Sequence, residues 1–354
     1  MRGGFNWPIL VLVMALFLFS LALNFSFAPH LLTSQFIFVF LGLATFFLIA
    51  KIDYQVLAPF WPFLYLAVFL LLGTSFIFQT QTRETLRWVR IGSLGFQPSE
   101  IVKPFLIFIF AAFISSENWN FKKLIISLGL LFLPAFLIFQ QPDLGSSLVL
   151  CLVWLAMIFM KVDKKQTVFL IGFFCLSLLM GQFFMKDYQK TRIRSFLNPM
   201  SDPLGEGYQL IQATIAVGSG RLFGRGLLRG TQSHLRFLPE RQSDFIFASL
   251  AEELGFLGSL ILILIYFSLL IHILRIAKKS GSEFGALICV GVFALFFTQI
   301  IINVGMNLGL LPITGLTLPL ISPGGSSIFS LMMGLGLVES VARKRKIEKV
   351  IEIG

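Results

Sequence analysis

Long runs of apolar residues, separated by short polar segments, cover most of the 354-residue chain. A helix needs about 20 mostly apolar residues to cross the hydrocarbon core of a bilayer, and the runs are continuous rather than alternating, unlike those of a membrane β-barrel. We therefore expect an all-α polytopic membrane protein, with residues 1–354 forming one integral membrane domain. The ten predicted spans are 7–27, 31–50, 57–78, 99–115, 123–139, 144–160, 166–185, 244–275, 283–308 and 325–342.

The distribution of Lys and Arg predicts the orientation of these helices. Fifteen cations lie in the two terminal segments and in alternate short connections, close to the ends of the spans. Short loops rich in Lys and Arg face the cytoplasm, so both termini should be cytoplasmic. The 186–243 segment, between the seventh and eighth spans, is then a long extracytoplasmic loop.

That loop has an unusual charge for its side of the membrane. Nine cations and only four carboxylates fall within 186–243, and Arg83, Arg87 and Arg90 lie in another outer connection. A solvated basic loop is one interpretation. We favour the other, in which the cations face an anionic substrate at the outer leaflet. The net charge of +11 does not indicate nucleic-acid binding, because the cations are scattered between apolar helices.

Two features stand out within the loop. A short amphipathic helix is predicted, capped by Ser201 or Asp202, with Pro203 early and an apolar stripe at Leu210, Ile211, Thr214 and Ile215. It is followed by GSGRLFGRG, which is either a flexible turn or a backbone nest for phosphate beside Arg221 and Arg225.

Ionisable residues at membrane depth are costly and mark candidate functional sites. Glu100 and Lys103 share one helical face at the start of the fourth span, either as a structural ion pair or in contact with substrate. Asp244 begins the eighth span, and at least one of Glu252 and Glu253, two turns further on, must face the protein interior. Asp244 and Asp143 also suit helix N-capping.

The remaining sequence offers no nucleophile–histidine dyad, phosphate-binding Walker loop or clustered metal ligands. Carboxylates and many cations beside a membrane suit transfer of a group from a phosphate or pyrophosphate leaving group. A carboxylate would act as general base on an acceptor hydroxyl, and the cations would stabilise the charge on the leaving group.

Four long stretches closely resemble the SEDS family of bacterial cell-wall proteins (shape, elongation, division and sporulation). They are RWVRIGSLGFQPSEIVK at 87–103, QPDLGSS at 141–147, DPLGEGYQLIQATIAVGSGRLFGRGLLRGTQSHLRFLPERQSDFIFASLAEELGFLG at 202–258, and NVGMNLGLLPITGLTLPLISPGGSS at 303–327. The GTQSHLRFLPE segment is closer to the RodA branch of the family than to its FtsW division branch.

The resemblance implies a ten-span peptidoglycan glycosyltransferase of the bacterial cytoplasmic (inner) membrane. Such an enzyme polymerises lipid II for cell elongation and rod shape, beside a class B penicillin-binding protein and other membrane proteins of the elongation complex. Asp244, in S-D-F-I-F, would be the catalytic base. The motif matches and the cation-rich loop imply substrate-binding roles for Trp88, Glu100, Lys103, Gln141, Asp143, Arg192, Arg221, Arg225, Glu252, Glu253, Gly325 and Ser326.

Two positions depart from the family pattern: Ser243 replaces threonine and keeps the hydroxyl, and Pro323 stands where an aromatic residue is usual. In the favoured hypothesis, the growing glycan on undecaprenyl pyrophosphate is the donor and attack inverts its anomeric carbon. A divalent cation, Mg²⁺ or Mn²⁺, could bridge pyrophosphate and Asp143 or Glu100, although no ligand spacing identifies a metal site. The alternatives are a lipid II flippase and a non-catalytic scaffold for the penicillin-binding protein.

Overall fold

The computed structural model describes residues 5–77, 88–91, 94–202, 205–235 and 237–353, in which the chain is mostly helical. Pro203, Arg83 and Arg87, which entered the sequence argument, lie outside these residues. The α-helices are α1 Trp7–Phe27, α2 Leu32–Lys51, α3 Tyr54–Leu57, α4 Trp61–Ile77, α5 Pro98–Ile114, α6 Phe121–Gln140, α7 Leu144–Ile158, α8 Lys164–Phe184, α9 Asp187–Leu197, α10 Glu206–Ser219, α11 Thr231–His234, α12 Ile246–Lys278, α13 Glu283–Asn307 and α14 Gly325–Ile353.

Eight helical segments of the described chain are long and apolar enough to cross a membrane. They are Trp7–Phe27, Pro29–Lys51, Tyr54–Ile77, Phe121–Gln140, Lys164–Gly181, Ile246–Lys278, Glu283–Asn307 and Gly325–Lys344. The predicted spans 99–115 and 144–160 coincide with α5 and α7, which are shorter, with 17 and 15 residues. The polytopic helical architecture is confirmed, and the count of ten spans stays a prediction.

The helices pack around α13 and α14, which are the most buried of these eight segments. Small residues allow α14 to lie close against α2. A Cβ atom at Gly42 would come within 2.9 Å of Ile328 Cγ2, and one at Gly336 would come within 3.0 Å of the Phe46 carbonyl oxygen. Glycine at these positions lets the two helices approach closely, as is common between membrane helices.

A two-stranded antiparallel sheet, which the sequence pattern did not predict, precedes α5. Its strands are β1 Val89–Ile91 and β2 Leu94–Phe96, with Val89 opposite Phe96 and Ile91 opposite Leu94. The β-branched residues of β1 suit a short strand. Trp88 before the strands, Gly95 within β2 and Gln97 after it all line the cavity described below.

The long segment before α12 contains α9, α10 and α11. Helix α10 confirms the predicted helix, and Asp202 Oδ2 accepts a hydrogen bond from its first amide, Glu206 N, at 2.9 Å. The predicted apolar stripe is not the face that packs on the protein: Leu210 is buried and Ile211 half-buried, but Thr214 and Ile215 are exposed. The buried face of α10 is instead Gly207, Leu210, Ala213 and Ala216. Small residues face inward because α10 packs directly on α12 and α13.

Helix α12 is interrupted at Gly255, whose φ of 66° and ψ of −164° are not helical. The 219–229 segment, here called the arginine loop, fills the break with backbone hydrogen bonds. Phe256 N donates to the Arg221 carbonyl at 2.8 Å, and Arg225 N donates to the Glu252 carbonyl at 2.9 Å. The two segments approach so closely that a Cβ atom on Gly255 would lie 2.2 Å from Gly224 N.

Candidate functional site

One open cavity of about 610 Å³ lies where the N-terminal ends of α5, α7, α12 and α14 meet. Most of its polar lining residues come from the segments before these helices and from their first turns, and Ser34 of α2 and Arg192 of α9 complete the lining. The lining includes Trp88, Gln97, Glu100, Asp143, Ser146, Arg192, Glu240, Ser243, Asp244, Thr317, Gly325, Ser326 and Ser327. Each helix N-terminus carries a partial positive charge and exposed N–H groups. The N-termini and Arg192 can interact with an anionic group, whereas Glu100, Asp143, Glu240 and Asp244 add negative charge to the same lining.

Asp244 lies in the turn that leads into α12, and α13 holds the backbone of this turn. The Asp244 carbonyl oxygen accepts hydrogen bonds from Asn303 Nδ2 at 2.9 Å and from Asn307 Nδ2 at 3.0 Å. Asn307 Oδ1 in turn accepts a hydrogen bond from Ala248 N at 2.9 Å. The N-cap position of α12 is Phe245, so Asp244 precedes the cap position and its side chain lines the cavity.

Asp143 connects three helices at the cavity floor. Its Oδ1 accepts a hydrogen bond from Ser146 N at 3.1 Å, which confirms it as the N-cap of α7. Its Oδ2 accepts hydrogen bonds from Gln97 Nε2 at 2.8 Å and Ser99 Oγ at 2.9 Å. Gln97 N also donates to Ser326 Oγ at 2.9 Å, which extends the network to α14. Asp143 therefore fixes the relative positions of the loops that form the cavity.

Glu100 and Lys103 form the predicted ion pair, with Lys103 Nζ 2.5 Å from Glu100 Oε1. Lys103 is almost fully buried, whereas Glu100 lines the cavity. Among the described residues, Glu100 Oε2 has no hydrogen-bond partner. The ion pair is present as the first alternative expected, with Lys103 neutralising a largely buried carboxylate, and contact of Glu100 with substrate stays a prediction.

Arg192 enters the cavity from α9 and forms an ion pair with Glu206 of α10. Arg192 Nε lies 2.8 Å from Glu206 Oε1. Burial raises the pKa of Glu206; the adjacent Arg192 opposes this shift, and Asp202 adds to it. The pair joins α9 to α10, and Arg192 also contributes to the cavity lining.

Six predicted site residues do not line this cavity: Lys103, Gln141, Arg221, Arg225, Glu252 and Glu253. Lys103 lies behind Glu100, and Gln141 is buried, with its Nε2 3.3 Å from the Leu72 carbonyl. Arg221 and Arg225 belong to the arginine loop and line a second cavity of about 640 Å³. The amide groups of Arg225 and Gly226 donate to the carbonyls of Glu252 and Glu253. These amides are engaged within the protein, so the arginine side chains, rather than a backbone nest, are available to an anion.

Glu252 and Glu253 are both fully buried, as the sequence predicted for at least one of them. Glu252 accepts hydrogen bonds from the first turn of α11, at 2.8 Å from Gln232 N and 3.0 Å from Ser233 N. Glu253 Oε1 accepts from Ser26 Oγ at 2.5 Å and lies 3.0 Å from His234 Nε2. Their contacts tie the outer segment to α1 and α12, and their predicted contact with substrate remains untested.

Sequence reasoning did not single out Glu240 and Gln97 as site residues. Glu240 lines the cavity and accepts a hydrogen bond from Ser243 Oγ at 3.1 Å on Oε2. A sequence signal was available for both, because Glu240 lies four residues before Asp244 and Gln97 directly precedes the Pro-Ser-Glu start of α5.

The carboxylates that line the cavity do not by themselves form a metal-binding site. Among the described residues there is no group of three or more His, Cys, Asp or Glu side chains that could hold an ion. Asp143 is already bound by three donors, whereas Glu100 Oε2 is a buried oxygen without a hydrogen-bond partner among the described residues. Mg²⁺ at phosphate groups often uses only one or two protein carboxylates. The cavity therefore fits an ion that is coordinated partly by the phosphate oxygens of a ligand.

Comparisons with known proteins agree on one family. The sequence model of the family of FtsW, RodA and SpoVE cell cycle proteins matches residues 6–347. The Escherichia coli K12 peptidoglycan glycosyltransferase MrdB is 40% identical over 313 residues, covering 87% of this chain and 84% of that protein. The Bacillus subtilis stage V sporulation protein E is 36% identical over 315 residues, covering 87% and 86%.

Solved structures agree over almost the whole chain. A chain from a peptidoglycan synthase complex that coordinates polymerisation and crosslinking is 31% identical, with a TM-score of 0.83, and the match covers 97% of this chain and 98% of that one. The Thermus thermophilus rod shape determining protein RodA is 27% identical, with a TM-score of 0.73 and the same coverage.

Proposed function

Because the chain belongs to the family of FtsW, RodA and SpoVE cell cycle proteins, we propose that it is a peptidoglycan glycosyltransferase that polymerises lipid II during cell elongation. The observation that carries this proposal is the position of Asp244. It lines a cavity that also contains Arg192 and the N-terminal ends of four helices. A carboxylate and an anion-binding surface in one cavity are what transfer from a pyrophosphate-linked sugar requires.

In the proposed reaction, Asp244 acts on the acceptor, whereas Arg192 and the helix N-termini act on the leaving group. Asp244 removes the proton from the acceptor hydroxyl of lipid II as the oxygen attacks the anomeric carbon of the growing glycan. The new glycosidic bond forms as the bond to pyrophosphate breaks, with inversion at that carbon. The electron pair leaves with undecaprenyl pyrophosphate, whose charge is stabilised by Arg192 and the helix N-termini.

The lining of the cavity also suits a lipid-linked substrate. Leu31, Ser34 and Phe38, from α2 and the turn before it, form a partly apolar part of the cavity wall. The polyprenyl chain would follow this wall towards the bilayer. With both termini in the cytoplasm, as the Lys and Arg distribution predicts, the cavity opens at the outer face of the cytoplasmic membrane.

Two further components belong to the proposal. A divalent cation bound to the pyrophosphate would use Glu100 Oε2, which no described residue satisfies, and would supply additional positive charge when bound. A class B penicillin-binding protein would crosslink the glycan as it leaves the cavity. The similarity to a chain from a synthase complex supports such a partner.

The test is polymerisation of purified lipid II by the full-length protein, with and without its penicillin-binding protein. We expect Asp244→Asn to reduce the rate at least about 1,000-fold, because the amide cannot accept the proton. Asp187→Asn is the matched control: this aspartate is exposed on α9, in the same outer segment, and does not line the cavity.

Undiminished glycan synthesis by a folded Asp244→Asn variant would exclude this residue as the base. If neither the wild-type protein nor the variant made glycan but both moved lipid II across vesicles, the flippase would replace the polymerase. If both proteins lacked these activities but retained binding to the penicillin-binding protein, the scaffold hypothesis would be favoured.

A further inference from the structure

The arginine loop forms a second basic surface, separate from the cavity that contains Asp244. Arg221, Arg225 and Arg229 all line one open cavity of about 640 Å³, together with Leu222 and Phe223. The residues that line it include no carboxylate. Among the described residues, no ion pair involves any of the three guanidinium groups. The proposed polymerase reaction leaves this cluster without a role.

The helix that anchors the loop indicates its depth in the membrane. From Phe256 to Leu274, α12 carries no Asp, Glu, Lys or Arg, and Arg275 follows. This stretch rises about 28 Å, close to the roughly 30 Å thickness of the hydrocarbon core. The break at Gly255 therefore lies at the level of the lipid headgroups, on the side of the membrane opposite Arg275. The arginine loop is hydrogen-bonded into that break.

Apolar side chains alternate with the arginines along the loop and are exposed in the protein. Phe223 is 76% exposed, Leu228 57%, Leu222 49% and Leu227 45%. Exposed leucine and phenylalanine beside arginine are typical of segments that lie in the membrane interface. The apolar side chains can enter the hydrocarbon edge while each guanidinium binds phosphate oxygens through two N–H groups.

We propose that the arginine loop binds the phosphate group of an anionic phospholipid at the outer surface of the membrane. The backbone bonds to α12 hold the three arginines around one cavity, so little conformational freedom is lost on binding. The site does not depend on the polymerase assignment, because its residues are distinct from those around Asp244.

Native mass spectrometry of the purified full-length protein tests the proposal, with phosphatidylglycerol or phosphatidylcholine of matched chain length added in detergent. We expect the wild-type protein to retain phosphatidylglycerol preferentially. The R221Q/R225Q/R229Q variant should retain at least about fivefold less. The R221K/R225K/R229K variant should be intermediate, because lysine keeps the charge but loses the bidentate geometry.

The matched control is K122Q/K164Q/K165Q, which removes three exposed cations on the predicted cytoplasmic side and should retain lipid as the wild type does. Asp244→Asn should also bind lipid normally, which separates this site from the catalytic proposal. If the triple glutamine variant does not fold, the triple lysine and the single R225Q variants provide the comparison.

Three results would overturn the assignment. The first is equal retention of phosphatidylglycerol by the wild type and by folded arginine variants, including R225Q. The second is equal retention of both lipids by the wild type. The third is displacement of phosphatidylglycerol by equimolar inorganic phosphate, which would identify a free-anion site instead.

Discussion

Asn307 illustrates how single residues outside the cavity determine the position of a catalytic group. Its Nδ2 donates to the Asp244 carbonyl, and its Oδ1 accepts from Ala248 N. One side chain thus joins the turn before α12 to the first turn of that helix. Ser322 Oγ adds a third constraint, 2.7 Å from the carbonyl oxygen of Ser243. These contacts hold the backbone at Ser243 and Asp244 and thereby position the Asp244 carboxylate.

Asn307→Leu should therefore reduce kcat at least about tenfold without preventing folding, because a displacement of about 1 Å at a reacting group can cost about 100-fold. Gln299→Leu is the control: Gln299 lies two turns earlier on α13, is also buried, and makes no described hydrogen bond to the turn. Steady-state polymerisation and thermal unfolding of both variants would separate positioning from stability. Equal loss of kcat in the two variants would argue against the positioning role.

The raised pKa of Glu206 predicts that the stability of the folded protein depends on pH. Burial raises its pKa in the folded protein above the unfolded value, so the ionised carboxylate disfavours the folded state at neutral pH. This cost disappears as the pH falls through the raised pKa. Glu206→Gln, which resembles the protonated form, should be more thermally stable than the wild type at pH 7.5, and the difference should narrow towards pH 4.5.

Thermal unfolding of both proteins in detergent across this range measures that difference, because the other titrating groups contribute equally to both. A Glu206→Gln protein that is less stable at pH 7.5, or a difference that widens on acidification, would mean that the ion pair with Arg192 outweighs burial.

At the level of elements, the break in α12 is the least regular feature of the long helices. A helix interrupted by a loop needs backbone groups that can satisfy one another, and the arginine loop supplies them through Arg221, Arg225 and Gly226. Gly220, Gly224 and Gly255 allow the contact, because a Cβ atom on any of them would lie about 2 Å from a backbone atom of the facing segment. Two of the four glycines of GSGRLFGRG, Gly220 and Gly224, therefore serve this packing.

Gly255→Ala should accordingly destabilise the protein by at least about 2 kcal/mol, since the φ of 66° and ψ of −164° are adopted essentially only by glycine and cost another residue about 1–3 kcal/mol before any collision. Gly218→Ala is the control: Gly218 lies on α10 with nothing within 4 Å of its added Cβ, so alanine should be neutral or slightly stabilising. Thermal unfolding in detergent would measure both effects. A Gly255→Ala protein as stable as Gly218→Ala would contradict the packing argument.

Across the whole molecule, the cavity forms because helices distant in sequence begin at the same end of the bundle. Helices α5, α7, α12 and α14 start at Pro98, Leu144, Ile246 and Gly325. If alternate connections face opposite sides of the membrane, these four ends share the outer side. The cluster of N-termini then follows from an even number of spans with cytoplasmic termini.

Cysteine labelling in intact cells tests this orientation. In a background with Cys151, Cys175 and Cys289 replaced by alanine, a membrane-impermeant maleimide should label Lys190→Cys but not Lys164→Cys. Both lysines are exposed on helices, on opposite predicted sides. Permeabilised cells, in which both should react, provide the accessibility control. Labelling of both sites or only of Lys164→Cys in intact cells would overturn the topology.

The sequence by itself determined the helical membrane architecture and identified Asp244, Glu100 and Asp143, which meet at one cavity. Apolar runs and motif residues are local properties, so they can be recognised without coordinates. Only the tertiary structure separated Arg192, which lines the cavity of Asp244, from Arg221 and Arg225, which line another. It also placed Glu252 and Glu253 in contacts with α11 and α1. Charge and spacing cannot make these distinctions, because a side chain's partners depend on how distant helices pack.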